Sequence, residues 1–204
     1  MEQEARPLVR RWEVLLLGGA SGVGKTQVGY RLAHHFAVGI TEVDDFQVLL
    51  ERMTTPEQQP ALHWRRTSPA FAQASASEIM EQSLEIGHAM RLGLEGVIAS
   101  HLKEQTPLVL QGDHLYPALA AQTSYGSVTN DGRVRAVFLH EPDEQQIAAN
   151  YLAREPQLGP QIKRARVSWL KSQWLKQQAE RCGFPVVLAR PWDTVLERLI
   201  AAVS

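Results

Sequence analysis

The sequence predicts an α/β fold in which helices cover both faces of a five-stranded parallel sheet. Three observations predict it: short apolar runs alternate with helical patterns along the 204 residues, a glycine-rich loop joins the first run to a helix, and acidic residues follow the second and third runs. Because consecutive parallel strands need a helical crossover, this alternation favours a parallel sheet that is buried on both faces. The length suits one domain over residues 1–204.

The first element is a strand over residues 13–17, and a helix behind it continues to Phe36. The segment between them has the form Gly-x-x-x-x-Gly-Lys-Thr, the motif of a phosphate-binding P-loop. Its glycines let successive backbone N–H groups surround phosphate oxygens, and the positive end of the helix dipole points at the same anion. The motif residues expected to bind nucleotide are Gly19, Ala20, Ser21, Gly22, Val23, Gly24, Lys25 and Thr26.

This motif predicts binding of a nucleoside triphosphate, with ATP and GTP both open. Lys25 is expected on the β- and γ-phosphates and is the first catalytic candidate, and the Thr26 hydroxyl is expected to ligate Mg²⁺. A glycine-rich turn that binds nothing is the alternative, but the intact motif spacing and both flanking elements argue against it.

The second strand, residues 38–43, ends at Asp44 and Asp45. A carboxylate at this edge of the sheet can accept the proton of a substrate hydroxyl. Side chains alternate along a strand, so only one of the two acids can face the phosphates, and the other is expected to cap a helix over 46–53. Both acids are candidate substrate contacts, and Asp44 is the favoured catalytic residue.

An insert over residues 47–104 separates the second strand from the third. It is expected to contain an irregular, proline-interrupted connection over 54–69 and then a long helix over 68–104, in which glycines suggest a bend or the close approach of another backbone. In the connection, Arg65 and Arg66 are candidates to hold an anionic acceptor through bidentate hydrogen bonds. A surface arginine pair without a ligand is the alternative.

The third strand, residues 107–111, runs into a Gly-Asp-His sequence that ends at His114. An acid after an apolar strand has the form of a Walker B segment, whose carboxylate reaches Mg²⁺ through the threonine hydroxyl or through water. Asp113 is therefore the second metal candidate. His114 is a candidate substrate contact, and a hydrogen-bonded structural histidine is the alternative. A short helix over 115–122 and a polar loop with a turn at 130–132 are expected next.

The fourth strand, residues 134–139, leads to a helix over 143–154 and a second, basic helix over 161–181. The segment 154–166 joins them and contains prolines, a glycine and arginines, which is the composition of a mobile lid that closes on phosphates.

The basic residues of this region fall into two groups. Arg154 is expected to be a catalytic residue, and Arg164 and Arg166 are the candidates to contact the nucleotide, at least one of them through phosphate, with a solvated charged helix face as the alternative. Lys171 and Lys176, farther along the second helix, are explained by a solvated charged face.

The fifth strand, residues 185–189, and a closing helix over 194–203 complete the chain. Pro191 and Trp192 lie in the loop between them and are expected to pack on the nucleotide base. Ordinary core packing is an equal alternative for Trp192.

The composition narrows the classes of partner. The net charge of -1 argues against bulk attraction to nucleic acid or to an anionic membrane. The single cysteine, Cys182, excludes an intramolecular disulfide and fits a reducing, cytoplasmic compartment. The charged residues 1–12 predict a loose arm rather than a signal peptide, and no apolar stretch approaches the length of a membrane span. The oligomeric state is left open.

Several segments together resemble the small-molecule kinase branch of P-loop proteins, which includes the shikimate, gluconate, adenylate and chloramphenicol kinases and the zeta toxins. More narrowly, they resemble 2-phosphoglycerate-kinase-like proteins. The segments that carry the resemblance are 18–26, 108–117 and 138–141, together with Asn150 and Arg154.

The resemblance implies a three-layer P-loop kinase fold, ATP and Mg²⁺ as cofactors, and transfer of phosphate to a hydroxyl of a small acceptor that the insert binds. By similarity, Asp44 is the family's substrate-strand acid, and its lid arginines map to Arg154 and to the region of Arg164 and Arg166. The chain departs from the expected pattern at Gln111, where an acid would stand at the end of the third strand. This departure bears on 2-phosphoglycerate as the substrate more than on kinase chemistry.

Two other functions remain as alternatives. A nucleotide-dependent switch would bind ATP or GTP and hydrolyse it slowly, although the Asn-Lys-x-Asp loop of guanine-specific switches is not present. A kinase of nucleic-acid ends would use the basic helix, and the nearly neutral net charge argues against it.

Overall fold

The computed structural model describes residues 10–204, and its central feature is a parallel sheet of five strands in the order β2-β3-β1-β6-β7. A separate two-stranded antiparallel sheet pairs β4 with β5. The strands are β1 (Val14–Gly19), β2 (Gly39–Glu42), β3 (Leu108–Gly112), β4 (Ser124–Tyr125), β5 (Val128–Thr129), β6 (Val134–His140) and β7 (Val186–Leu188). The predicted α/β fold with five parallel strands is confirmed.

Helices connect the parallel strands and cover both faces of the sheet. They are α1 (Lys25–Phe36), α2 (Val43–Met53), α3 (Pro60–Thr67), α4 (Ala76–Glu104), α5 (Pro117–Ala120), α6 (Glu144–Arg154), α7 (Ile162–Arg181) and α8 (Val195–Val203), with short 3₁₀ turns at Pro69–Ala72 and Pro156–Leu158. Among these described helices, none is both long and apolar enough to cross a lipid bilayer.

The core consists of two apolar layers, one on each face of the sheet. Along β1, Leu15 and Leu17 point into the layer formed with α1, α6 and α8, whereas Val14 and Leu16 point into the layer formed with α4 and α7. All four side chains have 0% exposure. This pattern is expected where the two-residue period of a strand meets helices on both sides.

The insert differs from its prediction at both of its parts. The connection over 54–69 was expected to be irregular, but it contains α3, in which Pro60 occupies the first turn, a position that proline tolerates. The long helix begins at Ala76 rather than at residue 68. Ser75 caps it: the Ser75 hydroxyl accepts from the Glu78 backbone N–H at 3.2 Å, and the Glu78 carboxylate accepts from the Ser75 backbone N–H at 2.7 Å.

The structure also differs from the prediction at the end of the second strand and in the loop before β6. β2 ends at Glu42, so Asp44 and Asp45 lie in the first turn of α2 rather than at the end of a strand. The polar loop before β6 contains the β4–β5 hairpin, while its predicted turn is confirmed by positive φ angles of 46° at Asp131 and 77° at Gly132. The predicted N-terminal arm lies largely outside the described residues, and the single-domain assignment of 1–204 stays a prediction.

Candidate functional site

The glycine-rich loop lies at the centre of the sheet, where β1 ends and α1 begins. Gly24 directly precedes α1 with φ 98°, a left-handed conformation that favours glycine. A Cβ atom at Gly24 would lie 2.4 Å from the indole ring of Trp192, so the loop also needs glycine here for space. The backbone N–H groups of the first turn of α1 have no partner four residues back within the helix, which is the arrangement that binds anions.

Lys25 is buried, with 6% exposure, and its ammonium group has two close partners. It donates to the Ala20 carbonyl at 2.8 Å and to Asp113 Oδ1 at 2.5 Å. Burial alone would raise the pKa of Asp113, but the ammonium groups of Lys25 and Lys171 outweigh it and hold that pKa below its usual value. Asp113 is therefore anionic at neutral pH and contacts the P-loop lysine.

Thr26 and Gln111 form the next contact at this edge of the sheet. Gln111 Nε2 donates to Thr26 Oγ1 at 3.4 Å, and Gln111 Oε1 is buried without a hydrogen-bond partner in the part of the chain that the structure describes. A buried acceptor without a donor is costly unless a ligand or water satisfies it. Mg²⁺ with its bound waters suits this set, because it prefers oxygen ligands and keeps several waters. Thr26, Asp113 and Gln111 thus fit a magnesium ion.

Asp44 lies across the cavity from the loop, in the first turn of α2. Burial raises the pKa of Asp44 first, and the neighbouring Asp113 carboxylate raises it further, while Lys25 and Lys171 partly offset both effects. A carboxylate with a raised pKa is a better proton acceptor near neutral pH than an ordinary aspartate. Asp45 does not line this cavity, so the preference for Asp44 agrees with the geometry although its strand-end placement was wrong.

A cavity of about 550 Å³ joins these groups. This volume lies in the range of small-molecule sites. Its lining residues are Ser21, Gly22, Val23, Gly24, Lys25, Thr26, Gln27, Asp44, Gln111, Gly112, Asp113, Asn150, Ala153, Arg154, Ala189, Arg190 and Trp192. Trp192 lines the cavity beside the loop and also packs against the apolar core, so its contact with the nucleotide base stays a prediction, whereas Pro191 does not line the cavity. Gly19 and Ala20 also lie outside the lining, and Ala20 contributes only its carbonyl to Lys25.

Asn150 and Arg190 are cavity residues to which residue-by-residue reasoning gave no role. Asn150 Nδ2 donates to the carbonyl of Gly22 at 2.8 Å, which ties α6 to the P-loop. Arg190 Nη2 donates to Asn150 Oδ1 at 3.4 Å. The only sequence signal for Asn150 is its place among the residues that carry the kinase resemblance, and Arg190 has no sequence signal of its own.

Four of the arginines expected to contact phosphate or acceptor do not line the cavity, and two of these, Arg164 and Arg166, lie in the segment 154–166. Arg164 pairs with Glu155 at 2.7 Å, and Arg166 pairs with Glu144 at 2.7 Å. Neither lines the cavity, because carboxylates in and beside α6 hold both side chains. Arg154 does line it, although it also pairs with Glu155 at 2.7 Å.

The arginines of α3 are likewise directed elsewhere. Arg66 forms an ion pair with Glu51 of α2, and the Arg65 guanidinium lies 5.4 Å from the centre of the Phe71 ring. Neither lines the cavity, so the expected clamp on an anionic acceptor is not formed.

His114 and Lys171 are buried together behind Asp113. Burial, followed by the Lys171 charge, lowers the pKa of His114 to about 3, so the imidazole is neutral. His114 does not line the cavity, and its structural alternative fits the geometry better than substrate contact. The solvated-face explanation was wrong for Lys171, which has 4% exposure, but holds for Lys176, whose exposed ammonium pairs with Glu180 at 3.2 Å.

Known proteins resemble this chain in sequence and in fold. The 2-phosphoglycerate kinase of Methanopyrus kandleri is 23% identical over 94% of this chain and 60% of its own length. That of Pyrococcus furiosus is 29% identical over 51% of this chain and 36% of its own length. The chain thus matches less than two thirds of the length of these relatives. No protein-family model matches it.

Solved structures give the same fold. A gluconokinase from Sinorhizobium meliloti superimposes with a TM-score of 0.53 and 18% identity, covering 94% of this chain and 91% of that one. A sugar kinase from Janibacter sp. superimposes with a TM-score of 0.56 and 17% identity, covering 94% of both chains. The chain therefore has the fold of P-loop small-molecule kinases, as the resemblance implied.

Proposed function

We propose that the protein is an ATP-dependent phosphotransferase that moves the γ-phosphate to a hydroxyl group of a small acceptor. The observation that carries this proposal is the single cavity in which the P-loop, the Asp44 carboxylate and the Asp113 carboxylate meet. Phosphoryl transfer needs a phosphate cradle, a metal site and a group that orients the acceptor hydroxyl, and each has a candidate here. The similarity to 2-phosphoglycerate kinases supports the same chemistry.

Each residue has a separate role in the proposed reaction. The loop amides and Lys25 bind the phosphates and offset the charge that develops during transfer. Asp44 orients the acceptor hydroxyl and accepts its proton, and Arg154 stabilises the transferred group from the lid side. Thr26 and Asp113 would hold Mg²⁺, which supplies positive charge to the phosphate oxygens when bound.

The acceptor is a small hydroxylated metabolite. Relatives are named for 2-phosphoglycerate, and a structural neighbour is named for gluconate. Both compounds are hydroxy acids, so a hydroxylated carboxylic acid is the first class to test. The engagement of Arg65 and Arg66 with other residues leaves no arginine clamp for an anion and argues for including uncharged polyols.

The test is a phosphorylation assay with the purified chain. It is given MgATP or MgGTP with 2-phosphoglycerate, gluconate or neutral polyols, and phosphorylated product is measured by mass spectrometry. We expect one acceptor to be phosphorylated by the wild-type chain and by Lys176→Ala, and at least a hundredfold more slowly by Lys25→Ala. If no acceptor is phosphorylated while Lys25→Ala retains the same background hydrolysis as the parent, the proposal fails.

A further inference from the structure

Lys171 is a buried cation that the proposed reaction does not use. Its ammonium donates to Ser83 Oγ at 2.7 Å and lies 3.5 Å from His114 Nδ1 and 5.8 Å from the centre of the Tyr116 ring. The ion pairs found among residues 10–204 do not include it. A buried ammonium with only neutral partners is costly to folding, and burial lowers the pKa of Lys171 to about 8.

His114, which the Lys171 ammonium contacts, directly follows Asp113 in the sequence, so the Lys171 charge lies close to the Asp113 carboxylate. Asp113 favours the charged form of Lys171, and Lys171 in turn favours the charged form of Asp113, with Asp44 in a weaker role. Lys25 contacts the same carboxylate at 2.5 Å from the side of the P-loop. Two ammonium groups therefore share Asp113: that of Lys25 in direct contact and that of Lys171 from behind it.

Lys25 has to change partners if it binds nucleotide phosphates. When Lys25 moves away from Asp113, a buried ion pair is separated. A buried carboxylate without a counter-charge is strongly unfavourable. Lys171 is buried and donates to Ser83 on α4 rather than to the P-loop, so its charge stays near Asp113 when Lys25 leaves. The cost of releasing Lys25 is lower for that reason.

We infer that Lys171 is a positioning residue of the phosphate site, whose fixed charge balances Asp113 so that Lys25 can exchange this carboxylate for nucleotide phosphate. The inference rests on the proposed function, because it assumes that Lys25 binds phosphates. Lys171 thus increases the affinity for nucleotide although it does not contact the nucleotide.

The first experiment measures ATP binding to the full chain by calorimetry, once in EDTA and once with excess Mg²⁺. In EDTA we expect Lys171→Met to bind ATP about tenfold more weakly than the wild type, within the usual range of coupling between sites. With Mg²⁺ the loss should be smaller, because the metal charge also balances Asp113. Lys176→Met, an exposed lysine on the same helix, should bind as the wild type does in both arms.

Two further variants separate charge from packing. Lys171→Gln keeps a polar head for Ser83 but has no charge, so it should lose as much affinity as Lys171→Met. In an Asp113→Asn background, Lys171→Met should have little further effect, because the charge that Lys171 balances is gone. Lys171→Gln also serves as the charge-free variant if Lys171→Met does not fold.

Several results would overturn the inference. Equal losses with and without Mg²⁺, wild-type affinity in Lys171→Gln, or an undiminished loss in the Asp113→Asn background would each indicate a packing role. Binding by the wild type only when Mg²⁺ is present would also overturn it, because Lys171 would then not suffice to release Lys25. Failure of the wild type to bind ATP in either arm would overturn the proposed function together with the inference, whereas the other results leave the proposed function intact.

Discussion

Lys25 and Asp113 illustrate how one contact serves both the fold and the site. The pair is largely buried, and removing only one member leaves the other charge without its contact partner. We therefore expect Lys25→Met to lose transfer activity at least a hundredfold and to lower the free energy of unfolding by about 3 kcal/mol. Urea unfolding of the single and double variants checks this.

The double variant Lys25→Met with Asp113→Asn is the control for this prediction. It should recover most of the lost stability, because no charge remains without a partner, and it should recover no activity. Equal stability of the single and double variants would show that the pair has no structural role.

Gln111 gives a second prediction at the residue scale. Replacing the amide by a carboxylate in Gln111→Glu adds a negative charge beside Thr26 and Asp113, so the chain should bind Mg²⁺ more tightly. One added charge near a cation contributes at least about 1 kcal/mol, or roughly a fivefold lower Mg²⁺ concentration at half-saturation. Magnesium titrations of the ATP-bound protein measure it, with Gln111→Met as the uncharged control. Equal midpoints for the Glu and Met variants would place the metal away from Gln111.

Lys171 predicts a dependence of stability on pH. The pKa of Lys171 is about 8 in the folded chain, whereas an unperturbed lysine, as in the unfolded chain, has a pKa of 10.5. The unfolded chain therefore binds more protons than the folded chain between these two pH values. Stability should therefore rise with pH from about 8 to 10.5, and this gain is lost as the pH falls through 8. Between pH 7.5 and 9.5, the wild type should gain up to about 2 kcal/mol relative to Lys171→Met in urea unfolding. A constant difference between the two proteins would contradict the lowered pKa.

Residues of the site were predictable from the sequence where the signal is local, and not where a side chain is held by a partner that is distant in the sequence. The P-loop was predictable because its motif is contiguous, and Asp44 and Asp113 because they lie within a few residues of the ends of apolar runs. Arg166 could not be placed, since its partner Glu144 lies 22 residues away in the sequence. Lys171 did carry a signal: it lies three residues after the buried Ser168 and four before the buried Leu175, on the packed side of α7.

At the scale of an element, α4 needs glycine at position 87, where a tyrosine side chain rather than another backbone lies close to the helix. A Cβ at Gly87 would lie 2.3 Å from the Tyr116 ring, whose hydroxyl donates to the Ser83 carbonyl at 2.9 Å. We expect Gly87→Ala to destabilise the protein by about 1–3 kcal/mol, the usual cost of overpacking. Thermal and urea unfolding measure this change.

Gly93, in the same helix, is the matched control. A Cβ at Gly93 has nothing within 4 Å, so Gly93→Ala should stabilise the protein by about 0.5–1 kcal/mol through helix propensity alone. If both substitutions have the same sign, the position of the Tyr116 ring against α4 is wrong.

Prolines and short strands explain why some elements were missed. Pro60 by itself indicates irregular chain, but it occupies the first turn of α3, where its missing N–H costs nothing. The β4–β5 hairpin has two residues in each strand, too few to show a periodic pattern. Long elements with regular apolar spacing, such as α4 and β6, were predictable for the opposite reason.

At the scale of the whole molecule, strand order brings the site together. β1 lies between β3 and β6, so the P-loop lies beside Asp113 at the end of β3, and the start of α2 follows β2 on the same edge. The parallel sheet was predictable from the alternation of strands and helices. The order was not, because no local pattern specifies which strands become neighbours.

This arrangement couples nucleotide binding to the stability of the entire chain, since residues from α1, α2, β3, α6 and the loop after β7 line one cavity. A ligand at a hundred times its dissociation constant stabilises a protein by about 2.7 kcal/mol. For a chain of this size we expect MgATP to raise the unfolding temperature by about 5–10 °C. Differential scanning fluorimetry with MgATP and MgGTP also compares the two nucleotides. Lys25→Ala should show a much smaller rise than Lys176→Ala, and an equal rise in both would mean that the nucleotide binds away from the P-loop.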